Sequence, residues 1–460
     1  MSEPVTESQD VASLPLVPAN PLPLRQRMTA ARHYHHGQVT LLESGGPLTR
    51  VILGPAGTGP SIVFVMSPAG ARDVLARNNE SCDRTLVHEE MRHLMGDNLA
   101  DLPNVPWRSR KRTLQPVFTR QHVAGLGHHM AETAEAIAHG WGETAGVDLD
   151  AEARRLTMQV LGKTVLGMDL GDRAEGLAEP LNTALGYVAD RGMRPVRAPR
   201  WLPTPARRRA RAAVASMREL ADEVVAACRA HPDRDAPLVQ ALIQATDPDT
   251  GQYLSDFDIA SDLIAFMVAG HDTTATTIAY TLWELGRHPD IQQRVADEVA
   301  ALGDRPLGPD DVTALSYTVQ VIREALRLCP PVAVAGRTAM RDISVDGYRI
   351  AEGSMVLVGV FGMHRNPDLW SDPETFDPER FNPENMSAMD RWQYIPFGAG
   401  PRTCIGDHFA MLEATLALAT IIRSVEIESL AEEFPLAVPF TMVAAAPIPA
   451  RVRRRARVGT

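Results

Sequence analysis

The stretch Phe397-Gly398-Ala399-Gly400-Pro401-Arg402-Thr403-Cys404-Ile405-Gly406 sets one cysteine in a glycine-rich loop, with an arginine two positions before it. From Asp407 the apolar residues Phe409, Leu412 and Leu416 fall at helical spacing, so Cys404 lies just ahead of a helix N-terminus. The positive end of a helix dipole favours the thiolate, which is the form that attacks electrophiles and binds metals. Glycines at 398, 400 and 406 allow the backbone to approach something flat and bulky. The competing reading is an inert cysteine in a tight turn.

A second group sits in a long apolar segment. Ser255 caps a helix predicted from Asp256 to Gly286, about 45 Å long and stopped by Arg287-His288-Pro289. At its centre is Ala269-Gly270-His271-Asp272-Thr273-Thr274, flanked by LIAFMV and IAYTLWEL. A glycine, an acid and two β-branched hydroxyl residues are poor choices for the middle of a buried helix, and they predict a local distortion there. A buried acid costs free energy unless it is used or paired, so Asp272 and Thr273 read as a functional acid–hydroxyl pair.

Other polar residues must be placed by the surrounding elements. Glu324 and Arg327 are i, i+3 on a helix predicted over Val312–Leu328 and halted by Pro330-Pro331; on its own, such a pair is worth under about 1 kcal/mol at a surface. FDPERF at 376–381 supplies Arg380. The run Trp107-Arg108-Ser109-Arg110-Lys111-Arg112 opens a helix ending near Pro116 and puts Trp107 and Lys111 on one face. It is either a solvated face or a site for an acidic partner. His33, His35 and His36 could bind a metal, but nothing nearby completes a ligand set.

Taken in order, residues 1–24 form an extended, proline-rich segment. Short strands are predicted at Gln38–Leu42, Thr49–Leu53 and Ser61–Val65. Ser67 and Pro68 open a helix to Arg77, and an irregular stretch continues to Val105. Residues 122–231 read as helical, with breaks at Gly146-Val147 and at the arginine-rich 194–211; residues 247–254 read as a turn. Strands follow at Val332–Ala335, Ile343–Val345 and Met355–Val360. A helix runs from Phe409 to Ser424, and the chain ends in strand-like residues 440–445 and an edge strand over 451–458. With no internal repeat and no linker, the whole of 1–460 reads as one domain.

Composition narrows the function classes. Forty-six basic residues against 57 acidic ones leave a net charge of −11, which argues against a general nucleic-acid binder. All but Lys111 and Lys163 of the basic residues are arginine, a bias that reflects a GC-rich genome. Four scattered cysteines without a CxxC point to a reducing cytoplasm, and the acidic N-terminus is not a signal peptide. No apolar run reaches the roughly 18–20 residues that span a bilayer.

Together these pieces resemble the cytochrome P-450 superfamily of haem-thiolate monooxygenases, over essentially the whole chain and in the family's order. Residues 397–406 match F-x-x-G-x-R-x-C-x-G, 269–274 match A-G-x-[DE]-T-[TS], and 324–327 match E-x-x-R. The resemblance implies a mainly α fold with small β-sheets, in which a long central helix crosses over haem and the cysteine loop lies on the other side. It implies Cys404 as the thiolate ligand of the iron of haem b, iron protoporphyrin IX, with Phe397 and Gly398 in the loop beside the sulfur. Arg402 and Arg337 would meet haem propionates, as would Trp107 and Lys111, although lysine here replaces the family's arginine and turns a bidentate contact into a point charge. Asp272 and Thr273 would deliver protons to bound O2, while Glu324, Arg327 and Arg380 would form a structural triad.

The resemblance also implies electrons from NAD(P)H through a separate ferredoxin and ferredoxin reductase, with the basic run 108–112 as a docking patch. Ala265, Phe266, Ala269, Val332, Val334, Ala335, Met442 and Val443 would line the substrate pocket. With no charge among them, they suit a lipophilic small molecule such as a terpenoid or polyketide. A fatty acid, which would want a cation near the pocket mouth, is the alternative substrate. A haem-thiolate isomerase or dehydratase is the alternative chemistry, and the intact Asp272-Thr273 pair argues against it. A soluble monomer is expected.

Overall fold

In the computed structural model, Ser255 caps the long helix by accepting a hydrogen bond from the Asp258 N–H at 3.1 Å, and Asp256 and Asp258 complement the dipole in its first turn. The helix runs Asp256–Arg287, unbroken through 269–274. The predicted distortion is absent because Gly270 has a packing role: a Cβ there would come within 2.9 Å of Leu161 Cδ2. The structure describes residues 11–33, 35–53, 61–142, 144–170, 173–193 and 197–455.

The chain divides into two compact units, Met1–Thr85 with Val332–Thr375 and Met389–Cys404, and Leu86–Pro331 with Phe376–Ala388 and Ile405–Thr460. The first holds a five-stranded sheet in the order Leu48–Ile52, Ser61–Val65, Met355–Gly359, Val334–Ala339, Cys82–Asp83. Ser61–Val65 and Met355–Gly359 pair in parallel, with Ile62 opposite Met355. The buried residues Val63, Phe64, Val65, Val356 and Val358 build its core. Val17 is buried beside this sheet and Ala19 bridges to Arg50, so residues 15–20 are extended as expected, but Val11–Ser13 is a 3-10 turn and Leu24 opens the helix Leu24–Arg32; the first ten residues lie outside the described ones.

The strand predicted at Gln38–Leu42 is instead a helix, His36–Gly45. Gln38, Leu41 and Leu42 share its buried face, and the Gln38 amide donates to the Ala333 carbonyl and accepts from the Gly362 N–H. The contact spans almost 300 residues of chain, out of reach of a local pattern. His35 and His36 meet Phe361 edge-to-face in the same unit. Burial, then His36, lowers the His35 pKa to about 4. Among the described residues no group of three or more His, Cys, Asp or Glu could hold a metal ion.

The second unit is mainly helical. The stretch expected to be irregular before Val105 contains the helix Leu86–Met95, which buries Glu90, Met91 and Met95. The basic helix is Asn104–Leu114. The break at Gly146-Val147 is a strand, Thr144–Asp148, while the arginine-rich break is shorter than predicted because Thr204 caps a helix starting at Pro205; residues 194–196 lie outside the described ones. A short 3-10 turn, Pro309–Ala314, precedes the helix Ser316–Leu328.

The C-terminal strand is not an edge. Pro449–Arg454 pairs on both sides, with Thr144–Asp148 and with Val425–Ser429. Its alternating pattern arises because Ala450 and Val452 are buried while Arg451 reaches across to Glu428 at 2.6 Å. Residues 456–458 lie outside the described ones, and only Val443–Ala444 of 440–445 is strand. No helix among the described residues is long and apolar enough to cross a membrane.

Candidate functional site

In the first unit the cysteine loop is closed by the Cys404 N–H, which donates to the Phe397 carbonyl at 2.9 Å. Gly398 and Gly400 take φ of 69° and 74°, backbone that favours glycine. At Gly400 a side chain would also strike the Leu75 carbonyl oxygen at 2.3 Å. Of the four cysteines, Cys82, Cys228 and Cys329 are buried and Cys404 is exposed. Burial pushes the Cys82 thiol up to about 11, which leaves it unreactive.

Two buried arginines share the loop's unit. The Arg402 guanidinium lies 3.7 Å from Asp83 Oδ1, with its side chain 1 % exposed. Arg337 donates to the Gly336 carbonyl at 2.8 Å. Burial, then the Arg84 charge, lowers its pKa to about 9, against Cys82 and Asp83. Arg402 and Arg337 are thus cations held out of water, as a carboxylate-bearing group requires of its partners. An accessible thiol with buried guanidiniums in one unit suits an iron macrocycle carrying carboxylates, because a soft thiolate binds iron and arginine binds carboxylate.

The second unit carries the remaining candidates. Trp107 is buried, and Lys111 Nζ lies 5.3 Å from its ring centroid, on the face the spacing predicts. The basic run around them is not one solvated patch. Arg110 donates to Asp262 at 2.6 Å and to Asp258 at 2.7 Å, and Arg112 pairs with Asp249. The Asp262 carboxyl, fully enclosed, also accepts from the Leu99 N–H at 2.8 Å. Burial, opposed by Arg110, raises its pKa to about 6.

Glu324 is wholly buried and accepts from Arg327 Nε and Nη2, both at 2.7 Å, from the Asp377 N–H at 2.9 Å and from Arg380 Nε at 3.3 Å. This is a buried, multiply bonded carboxylate rather than a surface ion pair. Burial raises its pKa, opposed first by the Arg327 hydrogen bond.

Between Ile259 and Leu285 the long helix is buried except at Phe266, Ala269, Gly270 and Thr273. These fall at i, i+3, i+4 and i+7, so the open positions form one stripe. Thr273 Oγ1 donates to the Ala269 carbonyl at 2.6 Å and lies on that stripe. Asp272 does not: it is 4 % exposed and accepts from Arg154 Nη1 at 2.6 Å, on the helix Leu149–Thr164. Arg154 Nε also donates to Asp150 at 2.7 Å. Burial lowers the Arg154 pKa, but Asp150 and then Asp272 leave it raised overall. Sequence reasoning missed Arg154; the i, i+4 pair Asp150–Arg154 at a helix start was the available signal.

Of the expected pocket residues, Ala269 is exposed, Phe266 meets Phe118 edge-to-face at 5.1 Å, and Ala265 is buried at 8 % exposure. Met442 is fully enclosed, its backbone fastened by the Pro331 carbonyl at 2.8 Å and by Thr276 Oγ1 at 3.0 Å, and Val443 beside it is buried. In the first unit Val332 is exposed and Val334 and Ala335 are half-buried.

The family model described as Cytochrome P450 matches residues 17–453. Cyclooctat-9-en-7-ol 5-monooxygenase of Streptomyces melanosporofaciens is 32 % identical over 83 % of this chain and 82 % of its own. Pentalenene oxygenase of Streptomyces avermitilis is 29 % identical over 86 % and 88 %. The crystal structure of the cytochrome P450DA heme domain superposes with a TM-score of 0.84 at 26 % identity, covering 96 % of this chain and 98 % of that one.

Proposed function

The chain belongs to the cytochrome P450 family of haem-thiolate monooxygenases, and we propose that it oxidises a lipophilic cyclic hydrocarbon skeleton, a terpenoid. The carrying observation is the open stripe of the long helix. Phe266, Ala269 and Gly270 offer a small apolar surface with one hydroxyl, Thr273, and no charge. Such a surface selects by shape and excludes water from a C–H bond. The similarity to two bacterial oxygenases named for ring substrates supports the same class.

In this reading Cys404 would hold the iron of haem b, Phe397 and Gly398 would frame its sulfur, and Arg402 and Arg337 would hold the propionates. When bound, the haem supplies O2 activation and the oxidation of a C–H bond. The protein's part is to position and to move protons. Thr273 presents its hydroxyl on the open stripe, and Asp272, fixed by Arg154, is the buried acid next to it in the helix. Glu324, Arg327 and Arg380 hold the Ser316–Leu328 helix against the 376–381 segment. Ala265, Met442 and Val443 are the further lining residues of this reading in the second unit.

Electrons come from NAD(P)H through a ferredoxin and its reductase. Arg110 is excluded from the docking patch because its guanidinium is spent on Asp262 and Asp258.

The test is the reduced, carbon-monoxide-bound spectrum of the purified protein, followed by a spin-state titration with cyclic terpene alcohols and with long-chain fatty acids. A haem-thiolate Soret band and a shift with the cyclic compounds alone are expected. A shift with fatty acids alone would overturn the substrate class.

A further inference from the structure

His271, the variable residue of the A-G-x-D-T-T stretch, is 3 % exposed on the side of the long helix that meets Leu149–Thr164. Its Nδ1 lies 3.1 Å from Thr157 Oγ1. Its Nε2 lies 3.9 Å from Asp272 Oδ1, is buried, and makes no hydrogen bond. The ring therefore stands between a hydroxyl that can give or take a proton and a carboxylate that can only accept one.

Two arrangements are open to it. Thr157 can donate to the carbonyls of Arg154 at 3.2 Å or His271 at 3.4 Å. Nδ1 would then carry the ring proton, and Nε2 would turn a lone pair on the Asp272 carboxylate. Alternatively Thr157 donates to Nδ1, and Nε2 carries its proton toward Asp272. In a low-dielectric interior a lone pair facing a carboxylate is repulsive and a donor facing it is attractive, which selects the second.

The charges around the ring add a reason for this donor. Arg154 is shared between Asp272 at 2.6 Å and Asp150 at 2.7 Å, with Asp148 capping the same helix, so one cation serves a buried and a half-buried carboxylate. Burial, opposed by the Asp272 charge and aided by Arg154, lowers the His271 pKa to about 4 and keeps the ring neutral near neutral pH.

We propose that His271 is a positioning residue for Asp272. Held as its Nε2–H tautomer by the Thr157 hydroxyl, it gives the carboxylate a second buried donor, so that Asp272 can leave Arg154 without losing every partner. The proposal rests on reading Asp272 as the acid that delivers protons. It separates that acid's two stations: Arg154 holds it toward the neighbouring helix, and His271 receives it when it is released.

The test uses the full-length holoprotein, 15N-labelled at histidine, as its diamagnetic ferrous carbon-monoxide complex. Between about pH 6 and about pH 8, His271 should show a protonated Nε2 and an unprotonated Nδ1 throughout. An Nδ1–H tautomer, or an imidazolium, overturns the proposal. In parallel, His271→Phe should lower the ratio of product to NAD(P)H consumed about tenfold, the size expected for one hydrogen bond to a charged group. The spectral dissociation constant for substrate should not change, and His271→Gln, which keeps a donor, should recover part of the loss. Full coupling in His271→Phe overturns the positioning role. Asp272→Asn is the control: full coupling there overturns the proton-delivery reading and the His271 role with it, whereas uncoupling in Asp272→Asn beside an Nδ1–H tautomer sinks the His271 role alone.

Discussion

Arg110 Nη1 donates to Asp262 at 2.6 Å, joining the basic helix to the long helix through a carboxylate with no exposure to solvent. One residue of a surface-looking basic run is thereby a structural pin. Removing one member of a buried ion pair leaves the other charged and unpaired, which costs about 3–5 kcal/mol. Arg110→Ala is expected to lower the unfolding free energy by that amount in urea denaturation. Arg112→Ala, which breaks an exposed pair with Asp249, is expected to change it by under about 1 kcal/mol.

The Glu324 network makes a sharper demand. Its carboxylate accepts from Arg327, Arg380 and the Asp377 N–H at full burial. Glu324→Gln loses the charge that holds two arginines, and about 3–5 kcal/mol of destabilisation is expected. Haem retention after gel filtration checks it: the variant should emerge with a lower haem-to-protein ratio than the wild type.

Cys404→Ser should leave the far-ultraviolet circular dichroism unchanged and abolish the haem-thiolate Soret band in the reduced carbon-monoxide spectrum. Cys82→Ser, at a cysteine whose thiol is pushed up by burial, should keep the band. If both variants keep it, Cys404 is not the iron ligand.

Thr273 Oγ1 already donates to the Ala269 carbonyl, so its hydroxyl is oriented along the open stripe rather than freely rotating. Thr273→Ala should preserve NAD(P)H oxidation, release peroxide and lose product, with a drop in coupling of about tenfold or more. The measurement is product and peroxide per NAD(P)H. Unchanged coupling would remove Thr273 from proton delivery.

Two buried groups tilt stability with pH in opposite directions. Burial lowers the His271 pKa from 6.5 to about 4, so its contribution is complete above 6.5 and is lost as pH falls toward 4. Burial raises the Asp262 pKa from 3.8 to about 6, so its folded state prefers the proton, and its contribution falls as pH rises through that window. Urea unfolding of His271→Phe should therefore show a steeper loss of stability with rising pH across this window than wild type. Parallel curves would mean that His271 is not buried as a neutral ring.

The chemistry-bearing segments were legible because each is local. A loop of ten residues positions Cys404, a capped run of apolar residues makes the long helix, and i, i+3 spacing joins Glu324 to Arg327. The cytochrome P450 family was legible for the same reason, since its motifs are short and correctly ordered. Pairings across the chain were not. Arg154 and Asp272 are 118 residues apart, and Arg110 and Asp262 are 152 apart. No periodicity encodes which arginine meets which acid, because that depends on how helices distant in the chain pack. The same reason explains the errors of secondary structure. Gln38 is helical because the Ala333 and Gly362 backbones satisfy its amide, and Pro449–Arg454 is central because Thr144–Asp148, from far up the chain, flanks the side that Val425–Ser429 leaves open. The sequence by itself determined which residues could do chemistry; the tertiary structure decided which of the charged ones are spent on holding the fold, because only packing removes a charge from water and forces it to find a partner.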